Sequence, residues 1–230
     1  MGDPATAPFV DRDIRVDAGP VSLEGHLTIP WGARGLVLFA HGSGSSRSSP
    51  RNQRVASALQ RVGLGTMLMD LLTPEEEEED AITARLRFDI PFLAVRLVGA
   101  TDWLGRRAGT RDLEIGYFGS STGAGAALLA AVERPRSVGA IVSRGGRPDL
   151  GGEALPQVRA PTLLVVGGLD EWVIELNLRA FERLTCEKQL EIVPGASHLF
   201  EEPGTLDAVA RLAADWFKLH LGGAAARDAA

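Results

Sequence analysis

Two kinds of hydrophobic pattern alternate along this chain of 230 residues. In one kind, runs of five to nine residues are rich in apolar side chains, as they are in strands that are covered on both faces. Turn-forming residues bound most of these runs. The pattern therefore predicts buried strands at residues 35–40, 64–72, 113–118, 139–143, 161–166 and 188–193.

In the other kind, apolar residues recur every three or four positions, which is the spacing of one face of a helix. Residues 81–107 have this helical spacing, and a break in the helix is expected near Pro91. The apolar residues Ala124 to Val132 predict a further helix. The three remaining predicted helices carry Val55, Ala58, Leu59 and Val62; Ile174, Leu178 and Phe181; and Leu206, Val209, Leu212, Trp216 and Leu219.

Near the amino terminus the pattern changes to strict alternation. Residues 14–19 and 21–30 alternate apolar and polar positions around Gly19-Pro20. This predicts an antiparallel hairpin at the edge of a sheet. Strands that then alternate with helices predict an α/β fold, a mostly parallel sheet with helices on both faces. In such sheets the chemistry lies beyond the carboxyl ends of the strands.

Length and composition limit the possible classes of protein. Residues 1–222 suffice for a single domain, and residues 223–230 are expected to form a flexible tail. The formal charge of −6 and the lack of a basic stripe argue against a nucleic-acid partner. Residues 1–10 lack the pattern of a signal peptide, and no apolar run reaches the length of a membrane span. We therefore expect a cytoplasmic protein without a membrane partner, whose lone Cys186 is a packed or surface thiol.

Residues 74–80 form a run of acidic side chains after Pro74. Consecutive carboxylates repel one another and lack the spacing of a ligand set. We expect a solvated loop and no metal site.

The strongest candidate for chemistry is Gly119-Ser-Ser-Thr-Gly123, which follows a predicted strand and precedes a predicted helix. A Gly-x-Ser-x-Gly sequence in that context forms a sharp turn that exposes the central serine above the sheet. Ser121 is thus the candidate nucleophile. The N–H of Thr122 is then placed to stabilise an oxyanion.

A serine nucleophile needs a base, and the base needs an acid that orients it. His198 follows the last predicted strand and is the favoured base. Asp170 ends Gly167-Gly-Leu-Asp170 at the same sheet edge and is the favoured acid, with a helix cap as its alternative role. The neighbouring Glu171 would point away. The chain order serine, aspartate, histidine is that of an α/β-hydrolase.

The other histidines have simpler interpretations. His26 lies in the edge hairpin and His220 ends the last helix, so both are expected to be surface or packing residues. His41 follows a strand within His41-Gly-Ser-Gly-Ser-Ser46, where a structural hydrogen-bonding role fits better than catalysis. The same loop can supply the second oxyanion donor through the N–H of Ser43.

Fewer than twenty residues separate Ser143 from Pro161, too few for a helical cap domain, so the cleft should be open. Residues 73–92 are expected to shape its mouth. Arg87 or Arg144 is a candidate for binding a substrate carboxylate, and a salt bridge to Asp89 or to the acidic run is the alternative. The candidate pocket residues are Arg87, Arg144, Trp172, Leu199 and Phe200.

Four segments together resemble the α/β-hydrolase superfamily, specifically its dienelactone-hydrolase-like branch. The resemblance runs from about residue 21 to residue 220 and implies an eight-stranded sheet, a serine-type triad, no cofactor, and hydrolysis of esters or lactones through an acyl-enzyme. Dienelactone hydrolase itself uses a cysteine nucleophile, whereas this chain has Ser121. The segments are Phe39-Ala-His-Gly-Ser-Gly44, Gly119-Ser-Ser-Thr-Gly123, Gly167-Gly-Leu-Asp170 and Gly195-Ala-Ser-His198.

The sequence therefore predicts a serine hydrolase that cleaves a small carboxylic ester or lactone, with Ser121, Asp170 and His198 as the triad. A thioesterase, acyltransferase or perhydrolase would use the same three residues. A binding protein without activity is a further alternative, because this fold also hosts such proteins. The sequence leaves the oligomeric state open.

Overall fold

A single eight-stranded sheet organises the computed structural model, which describes residues 8–222. The sheet order is β1-β2-β4-β3-β5-β6-β7-β8. β1 and β2 form the predicted antiparallel hairpin at one edge, β2 runs antiparallel to β4, and the pairs from β4 to β8 are parallel. The strands are β1 Pro8–Ala18, β2 Val21–Pro30, β3 Gly35–Ala40, β4 Gly65–Met69, β5 Glu114–Ser120, β6 Val138–Arg144, β7 Thr162–Gly167 and β8 Lys188–Val193.

Helices cover both faces of this sheet, so the predicted α/β class with an eight-stranded, mostly parallel sheet is confirmed. One core lies under α1 and α6, and a larger core lies under α3, α4 and α5. Short 3₁₀ segments occur at Leu86–Phe88 and Pro148–Gln157. The helices are α1 Pro50–Arg61, α2 Pro74–Thr83, α3 Ile90–Gly105, α4 Thr122–Glu133, α5 Glu171–Arg183 and α6 Thr205–His220.

The acidic run is a helix, α2, and the prediction of a solvated loop was wrong. Thr73 caps the helix by accepting a hydrogen bond from the N–H of Glu76, whose carboxylate accepts in return from the N–H of Thr73. Pro74 occupies the first turn, where its missing N–H costs nothing. Carboxylates near a helix amino terminus interact favourably with its dipole, which offsets their mutual repulsion.

The break expected near Pro91 lies just before it, at residues 84–89, and Pro91 itself lies in the first turn of the next helix. α2 ends at Thr83, and the next residue, Ala84, caps it in a left-handed conformation with φ of 52°. α3 then begins at Ile90, capped by the Asp89 carboxylate, which accepts from the N–H of Phe92. The predicted helical segment 81–107 therefore contains the end of α2 and the whole of α3. β4 likewise ends at Met69, three residues before the end of the predicted strand.

The burial patterns of β8, α5 and α6 also differ from the prediction. β8 lies at the sheet edge, and only Val193 of its six residues is buried, because one side of the strand has no neighbour. In α5 the buried residues are Val173, Leu176, Asn177 and Ala180, while Leu178 is exposed. α6 buries Val209 and Trp216 as expected, but Leu219 is exposed.

The expectations for residues 223–230, and for residues 1–7 of the amino terminus, lie outside the described residues. Between residues 8 and 222, no helix combines the length and apolar character needed to span a bilayer.

Candidate active site

The turn between β5 and α4 has the strained geometry that the Gly-x-Ser-x-Gly sequence predicts. Ser121 has φ of 49° and ψ of −123°, a conformation that costs energy for a residue with a Cβ. A Cβ at Gly119 would lie 2.5 Å from Ala124 Cα, and one at Gly123 would lie 2.2 Å from the Ala40 carbonyl oxygen. Glycine at both positions lets helix α4 begin directly against the sheet, with Ser121 at the apex.

Asp170 and His198 are paired across the loops that follow β7 and β8. Oδ2 of Asp170 lies 2.6 Å from Nδ1 of His198. Asp170 is the residue preceding α5, yet its side chain makes no capping hydrogen bond to that helix. Its side chain is 16% exposed and that of His198 is 39% exposed. The carboxylate thus holds the ring by Nδ1 and leaves Nε2 available.

Ser121 and His198 flank the same short segment after β6. The N–H of Ser121 lies 3.4 Å from the Arg144 carbonyl oxygen, and the N–H of Arg147 donates to the Ser121 carbonyl. On the other side, Nδ1 of His198 lies 3.6 Å from the position that a Cβ on Gly145 would take. The hydrogen bonds of residues 8–222 do not include one between the Ser121 hydroxyl and His198. In unliganded enzymes such catalytic bonds are often loose and tighten when substrate binds.

The loop after β3 lies directly against the nucleophile. A Cβ at Gly42 would lie 2.9 Å from the Cβ of Ser121, so only glycine permits this approach. The N–H of Ser43 is directed at the side chain of Thr122 and donates to its Oγ1 at 3.0 Å. Thr122 is the first residue of α4 and is buried. Both predicted oxyanion residues therefore lie beside Ser121, but one N–H already has an acceptor.

His41 anchors this loop. Its Nε2 accepts a hydrogen bond from the N–H of Leu71 at 3.1 Å, and its Nδ1 lies 3.0 Å from the Gly42 carbonyl oxygen. A ring that accepts at Nε2 and donates at Nδ1 is neutral. Burial lowers the pKa of His41, consistent with that neutral form. These bonds give His41 the structural role that the sequence predicts.

A cleft of about 340 Å³ opens beside the same loop. Leu71 and Leu72, which were predicted to lie in a strand, follow the end of β4 and form part of the cleft wall. Within residues 73–92, α2 and the segment after it contribute acidic Glu77 and the ion pair between Asp80 and Arg87. The lining residues are His41, Gly42, Ser43, Gly44, Ser45, Ser46, Leu71, Leu72, Glu77, Asp80, Arg87 and Leu93.

The two candidate arginines have different surroundings. Nε of Arg87 donates to Oδ2 of Asp80 at 2.5 Å, and the Asp80 side chain is 1% exposed. This ion pair lowers the pKa of Asp80 in spite of its burial. Arg144 is buried, and its Nε and Nη1 have no hydrogen-bond partner between residues 8 and 222. Desolvation, with a smaller contribution from Arg51, lowers the pKa of Arg144 to about 10.

The remaining candidate pocket residues divide between the surface and the interior. Trp172 is 62% exposed and lies two residues after Asp170. Leu199 is 40% exposed and directly follows His198. Phe200 is only 1% exposed, has φ of 57°, and its ring centroid lies 6.0 Å from the guanidinium carbon of Arg144. Phe200 therefore packs beneath the histidine loop, whereas the sequence made it a candidate pocket residue.

The other histidines and the cysteine lie away from this site. His26 is hydrogen-bonded to Asp11 and Asp13 on the edge hairpin. His220 packs against Trp216 at the end of α6. Cys186 is half-buried, with its Sγ 3.7 Å from Oγ1 of Thr162.

Sequence reasoning missed two features of the site. It did not anticipate that the Thr122 hydroxyl would meet the Ser43 N–H, and it did not place Glu77 in the cleft. For Glu77 a signal was present, since Thr73-x-x-Glu76 before a helical stretch is a capping box and predicts that residues 74–80 are helical.

The sheet order and the serine turn define an α/β-hydrolase fold, and comparison with known proteins narrows the class. The chain is 61% identical to the dienelactone hydrolase of Anabaena variabilis, with a TM-score of 0.91 over 92% of this chain and 98% of that one. It is 16% identical to a dienelactone hydrolase-like promiscuous phosphotriesterase from metagenomic libraries, with a TM-score of 0.73 over 94% of this chain and 100% of that one. The chain belongs to the dienelactone hydrolase family. No protein-family model matches it.

A curated protein of Mycobacterium tuberculosis is 56% identical over 219 residues and bears a provisional phosphoribosyl transferase name. The match covers 95% of this chain but 48% of that protein. The chain thus spans about half the length of the curated relatives that it matches most extensively. The two structural neighbours reported above have dienelactone hydrolase and phosphotriesterase names, which supports a hydrolase.

Proposed function

We propose that this chain is a serine hydrolase that cleaves a small carboxylic ester or lactone through an acyl-enzyme. The observation that carries the proposal is the Asp170 to His198 pair beside a serine held in a strained turn. The 61% sequence identity with a dienelactone hydrolase supports the proposal. The cytoplasm is the proposed location, in keeping with a single half-buried cysteine.

In the proposed reaction the Ser121 hydroxyl attacks the acyl carbon and transfers its proton to Nε2 of His198. Asp170 holds the ring by Nδ1 and stabilises the imidazolium that forms. The oxyanion lies next to the N–H of Thr122 and the loop of His41-Gly42-Ser43. His198 then returns the proton to the leaving alcohol, and water activated by the same ring hydrolyses the acyl-enzyme.

The cleft beside the loop after β3, whose lining is both polar and apolar, supports a small substrate. Serine hydroxyls, Glu77 and the Asp80 to Arg87 pair line it together with a few leucines. Arg87 has its charge balanced by Asp80, so Arg144 is the better of the two candidates for a substrate carboxylate. Replacement of Arg144 by alanine would then reduce turnover of anionic esters more than that of neutral ones.

Labelling with a fluorophosphonate and hydrolysis of p-nitrophenyl esters test the proposal. Wild-type protein should be labelled and should turn over short esters, and Ser121→Ala should abolish both. Labelling that survives the substitution would mean that the nucleophile is misassigned. Absence of labelling and turnover in the wild type would favour a binding protein. Transfer of the acyl group to thiols or peroxide in preference to water would favour the related transferase and perhydrolase activities.

A further inference from the structure

The hydrogen-bond donors around the proposed oxyanion do not match the expected pair of backbone N–H groups. Ser43 has one N–H, and it donates to Oγ1 of Thr122 at 3.0 Å. A backbone N–H carries a single proton, so this donor is committed to the threonine. A carbonyl oxygen could use it only by displacing the threonine hydroxyl.

The hydroxyl of Thr122 has a donor to spare. It accepts from Ser43 and still carries its own proton, for which the hydrogen bonds of residues 8–222 show no acceptor. The residue adjoins Ser121 in sequence, and its side chain bridges the nucleophile turn to the loop after β3.

Displacement and donation differ in what they require of the buried threonine. Displacement breaks the bond from Ser43 and leaves the hydroxyl of Thr122, a residue that is 4% exposed, without its donor. Loss of a hydrogen bond by a buried polar group is unfavourable. Donation keeps that bond and gives the unused proton an acceptor. A hydroxyl that already accepts a hydrogen bond is also a stronger donor.

The loop is held in place for such a role. Gly42 approaches Ser121 so closely that its added Cβ would lie 2.9 Å from the serine Cβ. The two hydrogen bonds of the His41 ring fix the start of the loop against Leu71 and Gly42. The distance between the Ser43 N–H and the nucleophile turn is therefore set by packing, and with it the orientation of the threonine hydroxyl.

We propose that the Thr122 side-chain hydroxyl, together with the Thr122 backbone N–H, donates hydrogen bonds to the substrate oxyanion, and that the Ser43 N–H orients this hydroxyl. The inference rests on the proposed hydrolase function. When the bond from Ser121 Oγ to the acyl carbon forms, the carbonyl π electrons move to oxygen and the serine proton moves to His198. The threonine proton is shared with the oxyanion but not transferred. Thr122 is thus a catalytic residue, and Ser43 is a positioning residue.

Thr122→Val tests the assignment, because valine keeps the branched shape and removes only the hydroxyl. We expect kcat for p-nitrophenyl acetate to fall about 100-fold with little change in KM, as for loss of one oxyanion donor. Thr122→Ser retains the hydroxyl and should stay within about tenfold of wild type. Thr122→Ala provides a second variant without a hydroxyl in case valine prevents folding, and it should show the same loss.

If Thr122→Val is as active as wild type, or faster, the hydroxyl only occupies the place of the oxyanion and the inference is overturned. A valine variant that loses activity only through a raised KM would also overturn it. These outcomes leave the hydrolase function intact. If the wild type is neither labelled by a fluorophosphonate at Ser121 nor active on esters, the proposed function fails and the inference fails with it.

Discussion

Oδ2 of Asp170 lies 2.6 Å from Nδ1 of His198, although 28 residues separate them and each follows a different strand. The carboxylate is mostly buried, whereas the ring reaches solvent. A buried carboxylate that binds one ring nitrogen fixes the tautomer and directs the other nitrogen outward. This relationship makes Asp170 an orienting group in the proposed mechanism.

Asp170→Asn should lower kcat for p-nitrophenyl acetate by about 10³ to 10⁴, because an amide can hold the ring in the wrong tautomer. Initial rates at pH 8 measure the effect. Glu171→Gln is a matched control, since this exposed neighbour carries the same type of charge on the first turn of α5. Equal losses for both variants would contradict the assignment and indicate a general effect of charge.

The buried, neutral His41 predicts a pH dependence of stability. Burial lowers its pKa in the folded protein, so below about 6.5 the unfolded chain binds a proton that the folded protein resists. The free energy of unfolding should therefore be fully retained above pH 6.5 and should fall as pH drops, by up to about 1.4 kcal/mol per pH unit from this group. Urea titrations between pH 5 and 7.5 measure the slope.

His41→Gln should reduce stability at pH 7.5 but flatten that slope. His26 gives a control of opposite sign, because its pKa is raised, chiefly by a hydrogen bond from its ring to Asp13. Its contribution is present at low pH and is lost as pH rises through the folded pKa. His26→Gln should therefore remove a loss of stability between pH 6.5 and the folded pKa of His26, and it should leave the slope below pH 6.5 unchanged. An unchanged slope in His41→Gln would show that other groups cause it.

Much of the fold follows from the apolar pattern. The buried strands could be predicted because a strand covered on both faces has few polar positions, and β3, β5, β6 and β7 fit that rule. β8 does not, because its apolar residues pack on a sheet edge. In α5 the buried stripe includes Asn177, whose amide donates to the Gly146 and Val173 carbonyls. Apolar spacing cannot identify a buried polar residue of that kind.

The sequence indicates which loops form the candidate site, but it does not indicate which atoms meet within it. Strand ends on one sheet edge bring Ser121, Asp170 and His198 into neighbouring loops whatever the loop details are. The bond from Ser43 to Thr122 depends on one side-chain rotamer and on the close approach at Gly42. Such details come from packing between segments 79 residues apart, which local sequence does not encode.

The charge of the cleft predicts a preference among substrates. Glu77 makes no ion pair among residues 8–222, and desolvation and the nearby Asp70 raise its pKa. Asp80 and Arg87 balance each other. At pH 8 the cleft should favour a cationic group over a neutral isostere by about two- to fivefold, the effect of one exposed charge. Suitable pairs are butyrate esters of choline and 3,3-dimethylbutanol, and p-nitrophenyl esters of 4-(trimethylammonio)butanoate and 5,5-dimethylhexanoate.

The first pair varies the alcohol and the second varies the acyl group. The preference should therefore appear in the pair whose varied group occupies the cleft. Glu77→Gln should remove it without changing kcat/KM for the neutral ester. Glu78→Gln, on the exposed side of the same helix, is the control. Discrimination that persists in Glu77→Gln, or that is absent from the wild type in both pairs, would refute the prediction.

Gly123 and Gly105 have contrasting surroundings, which predict opposite effects of alanine on stability. A Cβ at Gly123 would lie 2.2 Å from the Ala40 carbonyl oxygen, and backbone cannot move aside as a side chain can. Gly123→Ala should therefore lower the free energy of unfolding by about 3 kcal/mol or more. Gly105 ends α3, and a Cβ there would meet no atom within 4 Å. Gly105→Ala should instead stabilise by about 0.4–1 kcal/mol, since alanine restricts the unfolded chain. Urea denaturation measures both, and a Gly123→Ala protein as stable as wild type would show that α4 does not pack against β3 at this distance.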